Sequence, residues 1–140
     1  MGPLLEYTKI TDARSAISEI YSTAERHLAV VMRRESDAPV AVIHRDDLKR
    51  ALRALCPLEP QVRFSADEHV SMWIEGLPVS AEGSTFESAG ADLLHSLRAY
   101  SLTWVEDLRD YPNHKQNWGV VNLVLLSDDD ELQVHMFGVE

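Results

Sequence analysis

Three arginines near the start of the chain occupy positions that suggest a negatively charged ligand. Arg14 lies in the stretch "YTKITDARSAISEI", in the first turn of a predicted helix, and Arg33 and Arg34 stand together before a polar turn. A cation at a helix N-terminus costs a few tenths to about 1 kcal/mol, because that end carries partial positive charge. A guanidinium suits phosphate oxygens and guanine edges, which makes nucleic acid a candidate ligand. The alternative is a surface ion pair of Arg14 with Asp12 or Glu19.

Residue types that usually carry catalysis or bind metal form no recognisable motif. The four acids "DDDE" (128–131) are consecutive, so they point in different directions, as in a solvated loop. The six histidines include no pair four residues apart and no His-Glu motif. Cys56 is the single cysteine, so a disulfide framework and a thiolate zinc site are excluded. We therefore expect no enzyme activity, no metal and no cofactor.

Length and composition favour a folded cytoplasmic protein. The 140 residues suffice for one medium domain or two small ones, and 45% of them are apolar. No run approaches 18 apolar residues, which argues against a membrane span. The Met-Gly-Pro start turns polar at once, so no secretory signal is expected. With one cysteine and no sign of secretion, the expected location is the reducing cytoplasm.

The net charge of −10 is divided unevenly along the chain. Residues 1–57 contain nine Lys and Arg against eight Asp and Glu, a net of +1. Residues 58–140 contain four against fifteen, a net of −11. The acidic part would repel DNA, so any nucleic-acid site belongs to the first part. The simpler explanation of the acidic part is that charged surfaces keep proteins soluble.

Hydrophobic periodicity predicts a β-α-β-β-α unit in residues 1–57. The stretch "LLEYT" is a candidate edge strand. The first helix has one apolar face whose residues are spaced by three and four: Ala13, Ala16, Ile17, Ile20, Tyr21 and Ala24. Thr11 or Asp12 would cap that helix, "LAVVM" and "PVAVIH" predict a hairpin, and "RDDLKRALRAL" predicts a second helix. Since so short a unit buries little surface, we expect it to dimerise.

The remaining sequence predicts a second α+β domain at residues 61–140. The two prolines of "CPLEP" indicate a linker before it, and short alternating runs predict three strands. Ser84 and Glu87 form a Ser-x-x-Glu capping box ahead of a long helical stripe. "GVVNLVLL" and "ELQVHMFG" predict a final hairpin. The order βββ-α-ββ implies an antiparallel sheet with one long helix across a face.

The first part resembles the N-terminal domain of the Phd/YefM (prevent-host-death) antitoxins. The resemblance rests on "YTKITDARSAISEI…LAVVMRRESDAPVAVIHRDDLKRAL", which covers roughly residues 5–55 and contains an Ala-Arg helix, an Arg-rich turn and a Pro-Val-Ala-Val strand. The turn "ESDA" is longer than the family's usual turn and lacks its glycine. The resemblance implies a symmetric dimer that binds operator DNA. It assigns the DNA contacts to five residues: Lys9, Thr11, Arg14, Arg33 and Arg34.

The second part shows a shorter resemblance to the HicB antitoxins. In "WIEGLPVSAEGSTFESAGADLLHSLRAY" a strand ends in a Leu-Pro turn, and a Gly-Ser-Thr cap opens a long helix. The matching residues are Leu77, Pro78, Gly83, Ser84, Thr85, Glu87 and Ala89. A valine follows Pro78 where that family usually has glycine. HicB proteins cover a ribonuclease toxin, so the resemblance implies a folded protein-binding module rather than a nuclease.

Together these patterns predict an antitoxin of a type II toxin-antitoxin system that binds operator DNA as a homodimer. Residues 61–140 would neutralise the cognate toxin, a basic ribonuclease-type protein that the −11 charge would attract. Trp118, in the polar stretch "HKQNWG", is the candidate partner-binding residue, because an indole in such a stretch suits an interface. The alternative is an orphan transcriptional regulator whose second domain senses a ligand or oligomerises.

Overall fold

The computed structural model describes residues 5–138. Within that range the chain is a mixed α+β protein with six α-helices and two three-stranded sheets, which confirms the predicted fold class. Two compact units divide the chain, Met1–Arg50 and Ala51–Glu140. The boundary between these units falls inside a helix, whereas the sequence predicted a boundary at the linker "CPLEP". The division into functional domains at residues 1–57 and 61–140 stays a prediction. No helix in the described range has the length and apolarity that crossing a bilayer requires.

The first unit has the predicted β-α-β-β-α order, with its first helix interrupted. Its elements are β1 (Leu5–Tyr7), α1 (Ile10–Ser15), α2 (Ile17–Glu25), β2 (Val30–Met32), β3 (Val40–Val42) and α3 (Arg45–Leu55), which continues past Arg50. Leu4, the first residue of the predicted strand "LLEYT", lies outside the described residues. The sheet order is β1-β2-β3, with β1 parallel to β2 and β3 antiparallel to β2. Its core is small and holds Ala13, Ile20 and Val30.

The predicted first helix is broken at Ala16, and the prediction of its cap was wrong. The Ser15 hydroxyl donates to the Thr11 carbonyl oxygen at 3.1 Å, a competing bond four residues back that is known to bend helices. Ala16 leaves helical geometry at φ −112° and ψ 22°. The helix begins at Ile10 after an extended Lys9, so Thr11 lies inside the first turn instead of capping it.

The second unit is an antiparallel meander covered by a long helix. Its elements are β4 (Pro60–Phe64), β5 (Val70–Ile74), β6 (Ser80–Gly83), α4 (Phe86–Thr103), a π-helical turn (Trp104–Leu108), a 3-10 turn (Lys115–Asn117), α5 (Trp118–Leu126) and α6 (Asp129–Phe137). The β5 side chains alternate, with Val70, Met72 and Ile74 buried. They lie on the face that α4 covers, where Leu93 and Leu97 are fully buried. This alternation is the period-2 signal that predicted the strand.

The predicted final hairpin was wrong, because both of its runs are helices, α5 and α6. A short apolar run that is buried on most sides looks alike in a strand and in a helix. The residues between the runs decide the outcome. Asp128 Oδ1 accepts from the Glu131 N–H at 2.8 Å, and Glu131 Oε1 accepts from the Asp128 N–H at 3.1 Å. This capping box begins α6, and Gly138 ends it in the left-handed region at φ 66°.

The acids "DDDE" are therefore a helix start and not a turn. Asp129, Asp130 and Glu131 occupy the first turn of α6, where negative charge is favourable. The capping box of α4 was predicted one residue too early. Its members are Thr85, whose Oγ1 accepts from the Ser88 N–H at 3.0 Å, and Ser88, whose Oγ accepts from the Thr85 N–H at 3.1 Å.

Candidate nucleic-acid and partner-binding residues

The three predicted contact residues of α1 are all on the surface. Lys9, Thr11 and Arg14 are exposed, and among the described residues no carboxylate pairs with Lys9 or Arg14. The predicted alternative, an ion pair of Arg14 with Asp12 or Glu19, is therefore not formed. Since α1 ends at Ser15, Arg14 lies in its last turn. A cation is favourable at that end, so the premise that Arg14 occupies the wrong end of its helix was wrong.

The two arginines after β2 have different environments. The Arg33 N–H donates to the Tyr7 carbonyl oxygen at 2.9 Å, which prolongs the pairing of β1 with β2. Its guanidinium Nε is buried and has no hydrogen-bond partner among the described residues. Arg34 is exposed, and its Nε donates to Asp37 Oδ2 at 2.8 Å within the same turn. Arg33 thus has the unsatisfied donor, and Arg34 has a partner of its own.

A surface cavity lies between the start of α1 and the β2–β3 turn. Its volume is about 230 Å³, and its lining residues are Ile10, Met32, Arg33, Arg34, Asp37, Ala38 and Val40. Ile10 stands between Lys9 and Thr11 in the chain, so four of the five predicted DNA-contacting residues line this cavity or adjoin a residue that does. Arg14 lies further along α1 and does not line it. We call this group of residues, together with Arg14, the basic edge.

Trp118 is exposed, but it does not lie in a loop. It is the first residue of α5, and its carbonyl oxygen accepts a 2.7 Å hydrogen bond from the Asn122 side chain. The Trp118 side chain is 55% exposed and Leu125, two turns later, is 48% exposed. Residues seven apart lie on the same side of a helix. Trp118 and Leu125 therefore form a strip with the polar Asn122 between them. Sequence periodicity did not indicate this surface, because α5 was predicted as a strand.

A histidine cluster in the first unit was also missed. The His27 and His44 rings stack with centroids 4.6 Å apart and an interplanar angle of 17°. His27 Nδ1 lies 2.7 Å from Asp47 Oδ2, and this hydrogen bond is the main cause that lowers the pKa of the Asp47 carboxyl below its usual value. The spacing of His44 and Asp47, three residues apart at the start of α3, is the one sequence signal for this cluster. His27 lies at the end of α2, and no sequence pattern connects it to the other two residues.

Comparison with known proteins agrees with the predicted class of protein. A family model described as "Antitoxin of toxin-antitoxin, RelE / RelB, TA system" matches residues 2–137. A crystal structure from Syntrophomonas wolfei subsp. wolfei, described as an antitoxin part of a toxin/antitoxin system, is similar in fold, with a TM-score of 0.80. That similarity covers 96% of each chain at 18% sequence identity. No curated protein matches the sequence. Because the family model spans almost the whole chain, the protein belongs to this family of toxin-antitoxin antitoxins.

Proposed function

We propose that this antitoxin binds operator DNA as a homodimer of the Phd/YefM type and neutralises a basic toxin with its second unit. In this proposal the protein acts as a regulator and catalyses no reaction. The basic edge contacts the DNA, and the strip of Trp118 and Leu125 contacts the toxin. The support for each part comes from a different place in the molecule.

The observation that carries DNA binding is the unsatisfied Nε of the Arg33 guanidinium. A buried donor without an acceptor costs about 1–3 kcal/mol, and native structures rarely retain one without a reason. The Nε of Arg33 is such a donor, and its residue lines the cavity between α1 and the β2–β3 turn. A phosphate oxygen or a guanine edge in this cavity would supply the missing acceptor if the Arg33 side chain turned outward, because its Nε is buried in the unbound protein.

The other cations of the basic edge are free to take part. Arg14 and Lys9 are exposed and unpaired within the described residues. Arg34 is paired with Asp37, but both side chains are more than half exposed, and such surface pairs are worth only about 0–1 kcal/mol. A phosphate can therefore replace Asp37 as the partner of Arg34 at little cost. Thr11 is exposed and follows Ile10, which lines the cavity, in the chain.

The proposal of a dimer rests on apolar surface in the first unit. β3 pairs with β2 on one side and is an edge of its sheet, and Ile43, which follows β3, is 41% exposed. On α2, Ile17 and Tyr21 are four residues apart and more than 60% exposed, so they lie on one face of the helix. An apolar sheet edge is a ready template for a second chain. A second copy would cover these residues in a two-fold arrangement.

Fluorescence anisotropy with a labelled duplex from upstream of the gene tests DNA binding. We expect wild-type protein to bind tightly, and Arg33→Ala and Arg14→Ala to bind weakly. If three cations per protomer contact the duplex, a dimer neutralises about six phosphates, and log K falls with log salt at a slope of about −5. Loss of one cation per protomer removes two contacts and reduces the slope by about 1.8.

The matched control is Arg26→Ala, which removes the same charge from an exposed site at the end of α2. It should bind the duplex as the wild type does. Light scattering on the same samples should give twice the 15.8 kDa mass of one chain. If all three variants lost the same DNA affinity, the effect would be one of net charge alone. If the wild type bound no DNA, the DNA-binding role would be refuted, while the family assignment would stand.

The second unit supports toxin binding through charge and exposed apolar surface. Residues 58–140 have a net charge of −11, which speeds association with a cationic partner. An exposed indole is typical of the residues that dominate binding energy at interfaces. Where a small basic protein is encoded beside this gene, that protein is the probe, co-expressed with the antitoxin. Trp118→Ala should abolish the complex on gel filtration, whereas Tyr111→Ala, another exposed aromatic in that unit, should retain it. A complex unaffected by Trp118→Ala would exclude this surface.

A further inference from the structure

We propose that His27, His44 and Asp47 form a binding site for a divalent transition-metal ion of the zinc type. One ligand atom from each residue lies within 4.8 Å of the other two. The three residues join the end of α2 to the start of α3 within the first unit. The site is separate from the basic edge and does not depend on the DNA-binding role.

The donor set suits zinc. Two imidazole nitrogens and one carboxylate oxygen are ligands that Zn²⁺ accepts in proteins, with a water completing a four-coordinate site. Oxygen-only cations such as Mg²⁺ and Ca²⁺ are disfavoured by two imidazoles. Bonds of about 2.0–2.1 Å in a tetrahedral arrangement place ligand atoms about 3.3–3.4 Å apart. The site must therefore rearrange. If both atoms bind the ion, His27 Nδ1 and Asp47 Oδ2 give up their 2.7 Å hydrogen bond and move apart. His27, whose side chain is 61% exposed, has room to rotate.

The backbone turn at His27 places the imidazole directly after the end of α2. Its φ is 69°, in the left-handed region that glycine adopts without strain. The turn is closed by the His27 N–H donating to the Ala24 carbonyl oxygen at 3.0 Å and the Leu28 N–H donating to the Thr23 carbonyl oxygen at 3.3 Å. These two bonds form a Schellman motif, a common helix end, and they account for the left-handed residue. From this turn the His27 ring stacks on His44 and its Nδ1 meets Asp47 Oδ2.

A competing interaction limits the affinity of the site. His44 Nδ1 accepts a 3.0 Å hydrogen bond from the Asp46 N–H, so the proton of the neutral ring is on Nε2. A metal ion on Nδ1 displaces that N–H, and a metal ion on Nε2 forces the proton to Nδ1. Either way the ion replaces a cap of α3. We therefore expect micromolar affinity rather than the far tighter binding of preformed structural zinc sites.

Isothermal titration of the tag-free 140-residue chain with ZnCl₂ tests the site. The expected result is one Zn²⁺ per chain, with binding that weakens on acidification because the imidazoles must be deprotonated. His27→Ala, His44→Ala and Asp47→Asn should each weaken binding by more than about tenfold, since even indirect partners of a metal account for 10–100-fold. His95→Ala, which removes an exposed histidine from α4, is the matched control and should bind as the wild type does.

Nuclear magnetic resonance keeps the test independent of how well the variants fold. In the wild-type protein, Zn²⁺ should shift the ring nitrogen resonances of His27 and His44 and leave those of His69 and His95 unchanged. The proposal is overturned if the wild type takes up no Zn²⁺. It is overturned equally if the His27 and His44 rings do not respond, or if His95→Ala loses as much affinity as His27→Ala.

Discussion

Arg98 should be a sensitive surface-accessible position of the second unit, because its guanidinium joins three elements. From α4, its Nη1 donates to the Val124 carbonyl oxygen at 3.0 Å and its Nη2 to the Ser127 carbonyl oxygen at 2.9 Å, both at the end of α5. Its Nε donates to Asp129 Oδ1 at 2.7 Å at the start of α6. The last carbonyls of a helix have no partner within the helix, so Arg98 acts as a cap for α5.

The three contacts contribute different amounts to the free energy of unfolding. Hydrogen bonds from a charged donor contribute about 1.5–3 kcal/mol each when partly buried, but they are not additive within one side chain. Asp129 is 68% exposed, which leaves about 0–1 kcal/mol for the ion pair. Arg98→Ala should therefore lower the free energy of unfolding by about 2–4 kcal/mol, and Asp129→Ala by less than about 1 kcal/mol. Arg98→Lys should lie between them, because an ammonium cannot make the forked contact.

Urea denaturation followed by tryptophan fluorescence measures this difference. All three tryptophans lie in residues 51–140, so the signal reports the unit that contains Arg98. Arg109→Ala, at an exposed arginine of the same unit, should change stability by no more than about 0.5 kcal/mol. If Arg98→Ala were no more destabilising than Asp129→Ala, the two carbonyl contacts would contribute nothing and the assignment of Arg98 as a cap would fail.

Two further predictions concern packing and thiol chemistry in the same unit. A Cβ on Gly83 would lie 2.6 Å from the Ala89 backbone nitrogen, so Gly83→Ala should destabilise by about 1–3 kcal/mol in the same urea assay. Gly90→Ala, whose methyl would meet only the Phe137 ring at 3.3 Å, should cost less, and equal losses would contradict this reasoning. Burial raises the pKa of the Cys56 thiol. A smaller fraction of the thiol is therefore thiolate at pH 8 in the native protein than in the unfolded protein. Ellman's reagent should label the native protein more slowly than the urea-unfolded protein. Equal labelling rates would refute the burial of Cys56.

The elements with regular periodicity could be predicted from the sequence. The strands around Val70–Ile74 alternate because one face packs under α4 and the other faces solvent. The stripe of α4 was predicted for a similar reason, since Leu93, Leu97 and Tyr100 recur at helical spacing and are buried. The break at Ala16 could not be predicted, because it depends on whether the Ser15 hydroxyl turns back to the Thr11 carbonyl or out to water.

The error at the end of the chain has a specific cause. The apolar run of α5 is buried on several sides, including Gly119, Val121, Leu123 and Val124, so it lacks the amphipathic period that identifies a helix. The sequence nevertheless contained the answer in Asp128-x-x-Glu131, a capping box. A run of acids was assigned to a turn by composition when its spacing matched a helix start. Local capping chemistry was the stronger signal there.

The structure makes Arg33 a stronger candidate for DNA contact than Arg14, the reverse of the order that the sequence suggested. The sequence singled out Arg14 because it stood at the unfavourable end of a helix, yet the break at Ala16 places it at the favourable end. Its exposure and lack of a partner still permit DNA contact, but no strain requires it. Arg33, in contrast, retains a buried Nε without an acceptor, a cost that a bound phosphate or guanine would remove. In the anisotropy titration, Arg33→Ala should therefore weaken DNA binding at least as much as Arg14→Ala.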